Sequence, residues 1–199
     1  TQSMKAPTVA GDMIETDRLI LRPWRTSDIE PFAALNADPD VMGFIGEPLS
    51  RERTAAMVDA IRAHSDAPGF GLWAIALKAG AGCGGGPSLG FTGLNVPAFD
   101  APFMPCVEVG WRLARRHWGA GYATEAARAA VAAGFARFGL DEIVSFTAVG
   151  NTRSRAVMER LGMVRNASED FDHPALPDGH PLRRHVLYRL RRPGHAGAS

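Results

Sequence analysis

Apolar positions recur every second residue over Arg18–Trp24, where Leu19 and Leu21 share one face; the segment predicts a strand that Pro23 ends. A helix is predicted next, capped by Ser27 or Asp28. Ser27-Asp28-Ile29-Glu30 fits a capping box, and Pro31 falls in the unbonded first turn if Asp28 is the cap. Ser50 is the expected cap of a second helix running to about His64, with Ala56, Met57, Ala60 and Ile61 on its inner face. Asp66–Gly69 breaks the pattern. Leu72–Lys78 and Leu89–Val96 then read as two strands joined by a floppy hairpin loop that contains Gly84-Gly85-Gly86-Pro87.

Cys106–Leu113 alternates again, with Val107, Val109, Trp111 and Leu113 on one face. Tyr122–Phe138 is an alanine-rich helix stopped by Gly139, and its small face of Ala123, Ala127, Ala130, Gly134 and Phe138 permits close packing on a sheet. Ile143–Val149 is a buried strand, Ser154–Leu161 a short helix stopped by Gly162, and Arg184–Leu190 a last strand. The order β-α-α-β-β-β-α-β-α-β, with room for a further strand near Met163–Asn166 or Phe171, predicts a mixed α/β sheet with helices on both faces.

The chain has 199 residues, enough for one well-buried domain, expected over 15–191 between a flexible lead-in (1–14) and a flexible tail (192–199). Net charge is +1, which gives no sign of a nucleic-acid or membrane-surface partner. No apolar run approaches the ~20 residues that span a bilayer, and no charged-then-apolar leader opens the chain. Cys83 and Cys106 form no metal or redox spacing, so a reducing, cytoplasmic setting is expected.

Chemistry concentrates at Arg116-His117-Trp118-Gly119-Ala120-Gly121, where a strand hands over to a helix. Such a turn aims several backbone N–H groups and a helix N-terminus at one anion. A P-loop would need lysine and Ser/Thr after the second glycine, and Tyr122-Ala123 stands there. A dinucleotide fingerprint would need a third small residue at Thr124 and an acidic residue closing a later strand, and both are missing. A plain corner with incidental glycines remains the simple alternative. The glycine-rich hairpin loop is not expected to bind phosphate, because no helix follows it.

The remaining pattern, Arg-x-x-Gly-x-Gly between strand and helix, resembles the acetyl-CoA pyrophosphate motif of the GNAT N-acyltransferase superfamily. Thr16-Asp17-Arg18-Leu19-Ile20-Leu21-Arg22 resembles the opening strand of its RimJ/RimL-like branch, Val107-Glu108-Val109-Gly110-Trp111 its fourth strand, and Asn151-Thr152-Arg153-Ser154 through Leu161-Gly162-Met163 its closing motif. The four segments run in the family's order over nearly the whole chain. The resemblance implies the GNAT fold, with its central strands splayed around the cofactor arm, and acetyl-CoA as the acetyl source. It implies transfer to a primary amine by direct attack on the thioester. The acceptor is then a small-molecule or peptide amine, with a protein N-terminal α-amine among the choices, and a homodimer is possible.

By that resemblance Val109, Gly110 and Trp111 bind the pantetheine arm through their backbone, and Asn151 hydrogen-bonds it; Asn151 is equally suited to cap the last helix. Trp118, Gly119, Ala120, Gly121, Tyr122 and Ala123 offer amides to the pyrophosphate, Arg116 adds charge, and Arg115, Arg153 or Arg155 is available to the 3′-phosphate. Glu108 points away from Val107 and Val109; if the strand desolvates it, its raised pKa makes it a general base, and otherwise it is a solvated strand-end charge. Many relatives carry a tyrosine acid seven residues after the asparagine, where this chain has Met158. Ser154, one turn earlier, is the expected donor to the leaving thiol.

Asp170, Asp172, His173, Asp178, His180 and His185 crowd one late segment, but their spacing matches no metal motif, so no metal is expected; a polar loop at the substrate mouth is the other reading. Trp24, Phe44 and Trp73 could wall an acceptor pocket, with core the more natural place for Trp73 and for Tyr188. The rival from another class is a non-catalytic acyl-CoA-binding module of the same fold, which the missing tyrosine favours.

Overall fold

The computed structural model describes residues 13–64, 70–78 and 85–194. The breaker at Asp66–Gly69, nearly all of the glycine-rich loop, and most of the lead-in and tail lie outside the described residues. Nine strands form one sheet in the order β1-β2-β3-β4-β5-β6-β9-β7, with β8 added on β9. They are β1 (Ile14–Glu15), β2 (Leu19–Arg22), β3 (Leu72–Leu77), β4 (Ser88–Asn95), β5 (Glu108–Leu113), β6 (Glu142–Ala148), β7 (Val164–Arg165), β8 (Phe171–Asp172) and β9 (Arg184–Arg191). Five α-helices connect them: α1 (Ile29–Asn36), α2 (Pro39–Met42), α3 (Arg51–His64), α4 (Tyr122–Ala136) and α5 (Thr152–Arg160).

The sheet is antiparallel except where β5 meets β6. That parallel contact has a single register pair, Glu108↔Val144. It is tied by the Val144 N–H to the Val107 carbonyl at 2.9 Å and by the Ser145 hydroxyl to the Val109 carbonyl, also at 2.9 Å. Beyond Val109 no register pair joins the strands, and the central splay expected of the fold begins there.

The two faces are covered by different helices. The small face of α4, including Ala127, Ala130 and Gly134, lies against Leu94, Val109, Leu113 and Ile143. Only side chains this small let the helix backbone approach so closely: a Cβ on Gly134 would stand 2.6 Å from Ile143 Cδ1. On the other face α1 and α3 bury Phe32, Leu35, Val58 and Ile61 against Trp24, Ala74 and Phe91. A third cluster of Phe99, Phe103, Phe146 and Phe171 covers that face at β6 and β9, with His173 and His185 stacked into it.

Three expectations need correction. Asp28 does not cap α1: its carboxylate turns back to grip the buried Arg22 guanidinium at 2.7 and 2.8 Å and the Arg25 N–H at 2.8 Å, because a buried cation needs a counterion more than a helix end needs a cap. On α3, Ile61 and the partly buried Met57 face inward as expected, but Ala56 and Ala60 are exposed and Thr54 and Val58 take their place; Thr54 is drawn in by a hydrogen bond from Asn36. Strand pairing already begins at Ile14, inside the stretch read as lead-in. The further strands near Met163–Asn166 and Phe171 are both present, as β7 and β8.

Candidate active site

A cleft of about 1110 Å³ opens where β5 leaves β6. One wall is the end of β5 with the turn that follows it: Trp111, Arg112, Leu113 and residues 117–121. The first turn of α4 forms the back. Asn151 through Ser154, at the start of α5, form the opposite wall, and Asp40, Val41, Phe44 and Ile45 from α2 and its exit close the mouth. The mouth is braced by an Asp40–Arg115 ion pair, and Phe44 reaches across to the turn at Gly150.

Gly119 (φ +75°) and Gly121 (φ +82°) are both left-handed, a conformation that side-chain-bearing residues adopt only with strain. A Cβ on Gly119 would meet nothing within 4 Å, so its side faces open space. Gly121 is the N-cap of α4 and no side chain caps that helix. The orphan N–H groups of the first turn and the positive end of the helix dipole are therefore free for an anion. The turn is held in place from below. Glu125, in the first turn of α4, accepts from the Thr16 hydroxyl (2.6 Å), the Arg18 amide (2.9 Å) and Arg18 Nε (2.7 Å), while Arg18 Nη1 donates to the Ala120 carbonyl at 2.9 Å. Burial raises the Glu125 pKa, but these donors outweigh it and the carboxylate titrates below its usual range.

On the facing wall Asn151 caps α5. Its Oδ1 accepts the Ser154 N–H at 3.2 Å, and its Nδ2 donates to Thr147 Oγ1 at 2.9 Å and to Ser154 Oγ at 3.1 Å. Met158 is 1% exposed and sits in the core behind α5, where it lends the cleft no proton. The Tyr188 hydroxyl is committed to Glu159 at 3.0 Å.

Glu108 and Arg112 lie on the face of β5 opposite Val109 and Leu113. Burial pushes the Glu108 carboxyl up to about 8, against the Asn95 side-chain hydrogen bond that favours its charged form. Glu108, Val109 and Gly110 sit at the closed end of the splay and are not part of the cleft lining. Arg116 is also outside it, exposed, with Nε donating to His117 Nε2 at 3.0 Å. Of the three arginines weighed for the 3′-phosphate, Arg115 pairs with Asp40, Arg155 donates to the Val149 carbonyl at 3.1 Å, and Arg153 lines the cleft with its guanidinium 4.4 Å from the Trp118 ring centre. Phe44 lines the mouth, whereas Trp24 and Trp73 are core. In the late segment Asp170 pairs with Arg165, Asp172 with Arg183 and Arg184, and Asp178 with Arg183.

A family model described as an acetyltransferase (GNAT) domain matches residues 18–164. The chain belongs to the GNAT acetyltransferases. Among curated relatives it is 34% identical over 155 residues to the uncharacterized protein YkkB of Bacillus subtilis, a match covering 77% of this chain and 86% of that one. It is 29% identical over 204 residues to the FsC-acetyl coenzyme A-N(2)-transacetylase of Aspergillus fumigatus, covering 92% and 81%. The solved structure of an acetyltransferase from Agrobacterium tumefaciens matches with a TM-score of 0.69 and 29% identity, over 91% of this chain and 95% of that one.

As a GNAT acetyltransferase the protein takes its acetyl group from acetyl-CoA. The open glycine turn and uncapped α4 suit a pyrophosphate, and the gap past Val109 suits a narrow arm running along a strand edge. Among the described residues no helix is long and apolar enough to cross a membrane.

Two site residues escaped the sequence reading. Arg18 stands just before β2, far along the chain from the glycine turn, and contacts across more than 100 positions, with Glu125, Ala120 and Tyr122, tie it there. Arg112 had a visible signal, a cation in register with Glu108 on the polar side of an alternating strand, which went unused.

Proposed function

We propose that this acetyltransferase moves the acetyl group of acetyl-CoA to a primary amine by direct attack, with Glu108 as general base and Ser154 as donor to the departing sulfur. The observation that carries the reading is the pair of left-handed glycines opening an uncapped helix N-terminus into the same cleft as the Ser154 hydroxyl. Acetyl-CoA supplies an activated thioester; the protein positions and moves protons. Backbone amides from Trp118 to Ala123 hold the pyrophosphate, with Arg153 the best placed of the candidate arginines for a further phosphate. The Val109–Trp111 edge, where β5 parts from β6, holds the arm, with Asn151 at its other side. Glu108, raised to about 8, takes the ammonium proton directly or through a water. The setting is cytoplasmic.

The acceptor is a peptide α-amine or a small-molecule amine. Transfer to nitrogen is supported by the FsC transacetylase, whose name specifies an N(2) position. Opening strand and closing motif support a RimJ/RimL-like branch. Calorimetric titration with acetyl-CoA, with NAD and ATP as controls, tests the turn. Thiol release with an amine panel then tests transfer: tight, selective binding and amine-dependent release are expected. A folded protein that ignores acetyl-CoA would overturn the reading.

One observation favours a second reading. Met158, fully buried, stands where many relatives have their tyrosine acid, as it would in a non-catalytic acyl-CoA-binding module. Acetyl-CoA binding without thiol release from any amine is the outcome that module predicts.

A further inference from the structure

Arg112 is a cation without a counterion. It lines the cleft, yet it makes no ion pair among the described residues. Nη1 donates to the neutral Asn36 Oδ1 at 2.7 Å, the guanidinium lies 5.4 Å from the centre of the Phe91 ring, and Nε is buried with no hydrogen-bond partner. Partial burial pulls its pKa down to about 10, so the group stays charged at neutral pH with no carboxylate paired to it among the described residues. Arg22, the fully buried arginine of the sheet, has the opposite arrangement, a two-point grip on Asp28.

Position decides which ligand would meet this charge. Arg112 stands on the face of β5 that carries Glu108 and Gly110, away from α4 and its anion-binding N-terminus. Next to it that face is bare: Gly110 is paired with Gly93, and a Cβ on Gly110 would meet nothing within 4 Å. Alternate residues on a strand are ~6.6 Å apart, so the Cα atoms of Glu108 and Arg112 are separated by ~13 Å of glycine-floored strand. The acceptor amine, not the nucleotide end of acetyl-CoA, approaches this face in the transfer proposed above.

Resting on that transfer reading, we infer that Arg112 is a specificity residue that binds an anionic group, a carboxylate in the first instance, carried by the acceptor several bonds from its amine. An oxyanion there would pair with the guanidinium charge and accept from Nη2, Nη1 being taken by Asn36 and Nε being buried. Asn36, itself fully buried and donating to Thr54 Oγ1, fixes the guanidinium through Nη1 and leaves Nη2 to a ligand.

The test uses ω-amino acids of two to six methylenes and the amides of the same lengths, with acetyl-CoA and thiol release as the readout. Wild-type protein is expected to favour the acids over the amides by about tenfold or more in kcat/KM. Arg112→Gln should abolish that preference by lowering the acids alone, with the amides and the acetyl-CoA KM changed less than about threefold. Asn36→Asp is the second variant, because it supplies an internal counterion without removing the arginine; it should erase the same preference. Equal loss for acids and amides, or a rise in acetyl-CoA KM in both variants, would overturn the inference. Calorimetric titration of the acids and amides onto the CoA-bound protein separates the two levels. Acid-selective binding lost in Arg112→Gln without any turnover upholds the anion site and rejects the transfer reading; turnover without acid preference does the reverse.

Discussion

Asn151 Nδ2 donates to Ser154 Oγ at 3.1 Å, so the serine oxygen spends a lone pair on its neighbour and keeps its own proton to give. Ser154 lines the cleft, so that proton is available to a group bound there. Asn151 is itself fixed by capping the Ser154 amide and by Thr147, so the serine is pre-aimed by the helix start. Ser154→Ala should then lower kcat by about 10–10²-fold, the worth of a hydrogen bond to a developing thiolate, while acetyl-CoA KM stays within about twofold. Single-turnover thiol release checks it; unchanged chemistry would remove Ser154 from the mechanism.

Glu108 gives a pH signature. A base must be ionised to act, so kcat/KM should rise with pH up to about 8 and level off above it. Glu108→Gln should cost about 10²-fold and abolish that part of the rise that the acceptor's own titration does not explain. Stability should move the opposite way. A carboxyl whose folded pKa is raised contributes stability in full below its unfolded pKa of ~4.3, and that contribution is lost as pH climbs through about 8. Glu108→Gln protein should therefore gain on wild type in urea midpoint as pH goes from 5 to 9. A constant difference across that range would mean the carboxylate is solvated.

Much of this was legible in the chain because the relevant signals are local. Period-two runs marked β2 and β5, glycine-rich breaks marked the β3–β4 hairpin, and the alanine face of α4 announced a helix lying close on a sheet. The glycine turn was readable because two left-handed residues in three positions leave few alternatives to glycine. The errors have one cause: small or polar side chains whose burial is decided elsewhere. Ala56 and Ala60 looked like part of the inner face beside Ile61, but Val58 supplies more apolar area, and Thr54 follows Asn36 inward. Asp28 looked like a cap because nothing nearby announces that Arg22 is buried. α2 is a single turn, too short for any periodicity, and stands on the Asp38 cap and two buried side chains, Val41 and Met42. The charge at Arg112 was visible, but its lack of a counterion is a property of the packed structure.

The Arg22–Asp28 pair should control acid stability. Both side chains are almost wholly buried, and breaking such a pair by removing one partner costs about 3–5 kcal/mol. Burial raises the Asp28 pKa, but the Arg22 and Arg25 donors overcome it, and the carboxyl titrates below its usual value. A depressed carboxyl contributes stability that is present above its unfolded pKa of ~3.9 and disappears as pH falls through the lower folded value. Asp28→Asn should lower the urea midpoint strongly at pH 7 and lose less than wild type on going from pH 4 to pH 2. Parallel losses in the two proteins would locate the acid sensitivity elsewhere.

Gly119 and Gly121 separate ligand contact from folding. Both are left-handed, so alanine at either costs about 1–2 kcal/mol of backbone strain. Their surroundings differ. A Cβ at Gly121 would lie 3.4 Å from Arg18 Nη2, which also holds the turn through Glu125, whereas a Cβ at Gly119 meets no protein atom within 4 Å. Gly119→Ala should therefore weaken acetyl-CoA binding by tenfold or more with a thermal shift explained by strain alone, because the added methyl occupies space that only a ligand uses. Gly121→Ala should weaken binding and also disturb the Arg18 grip, so its loss should be non-additive with Arg18→Ala by about 0.5 kcal/mol or more. Calorimetry on the two single variants and the Arg18 double variant measures this. Full acetyl-CoA affinity in Gly119→Ala would show that the turn is a corner and not a phosphate cradle.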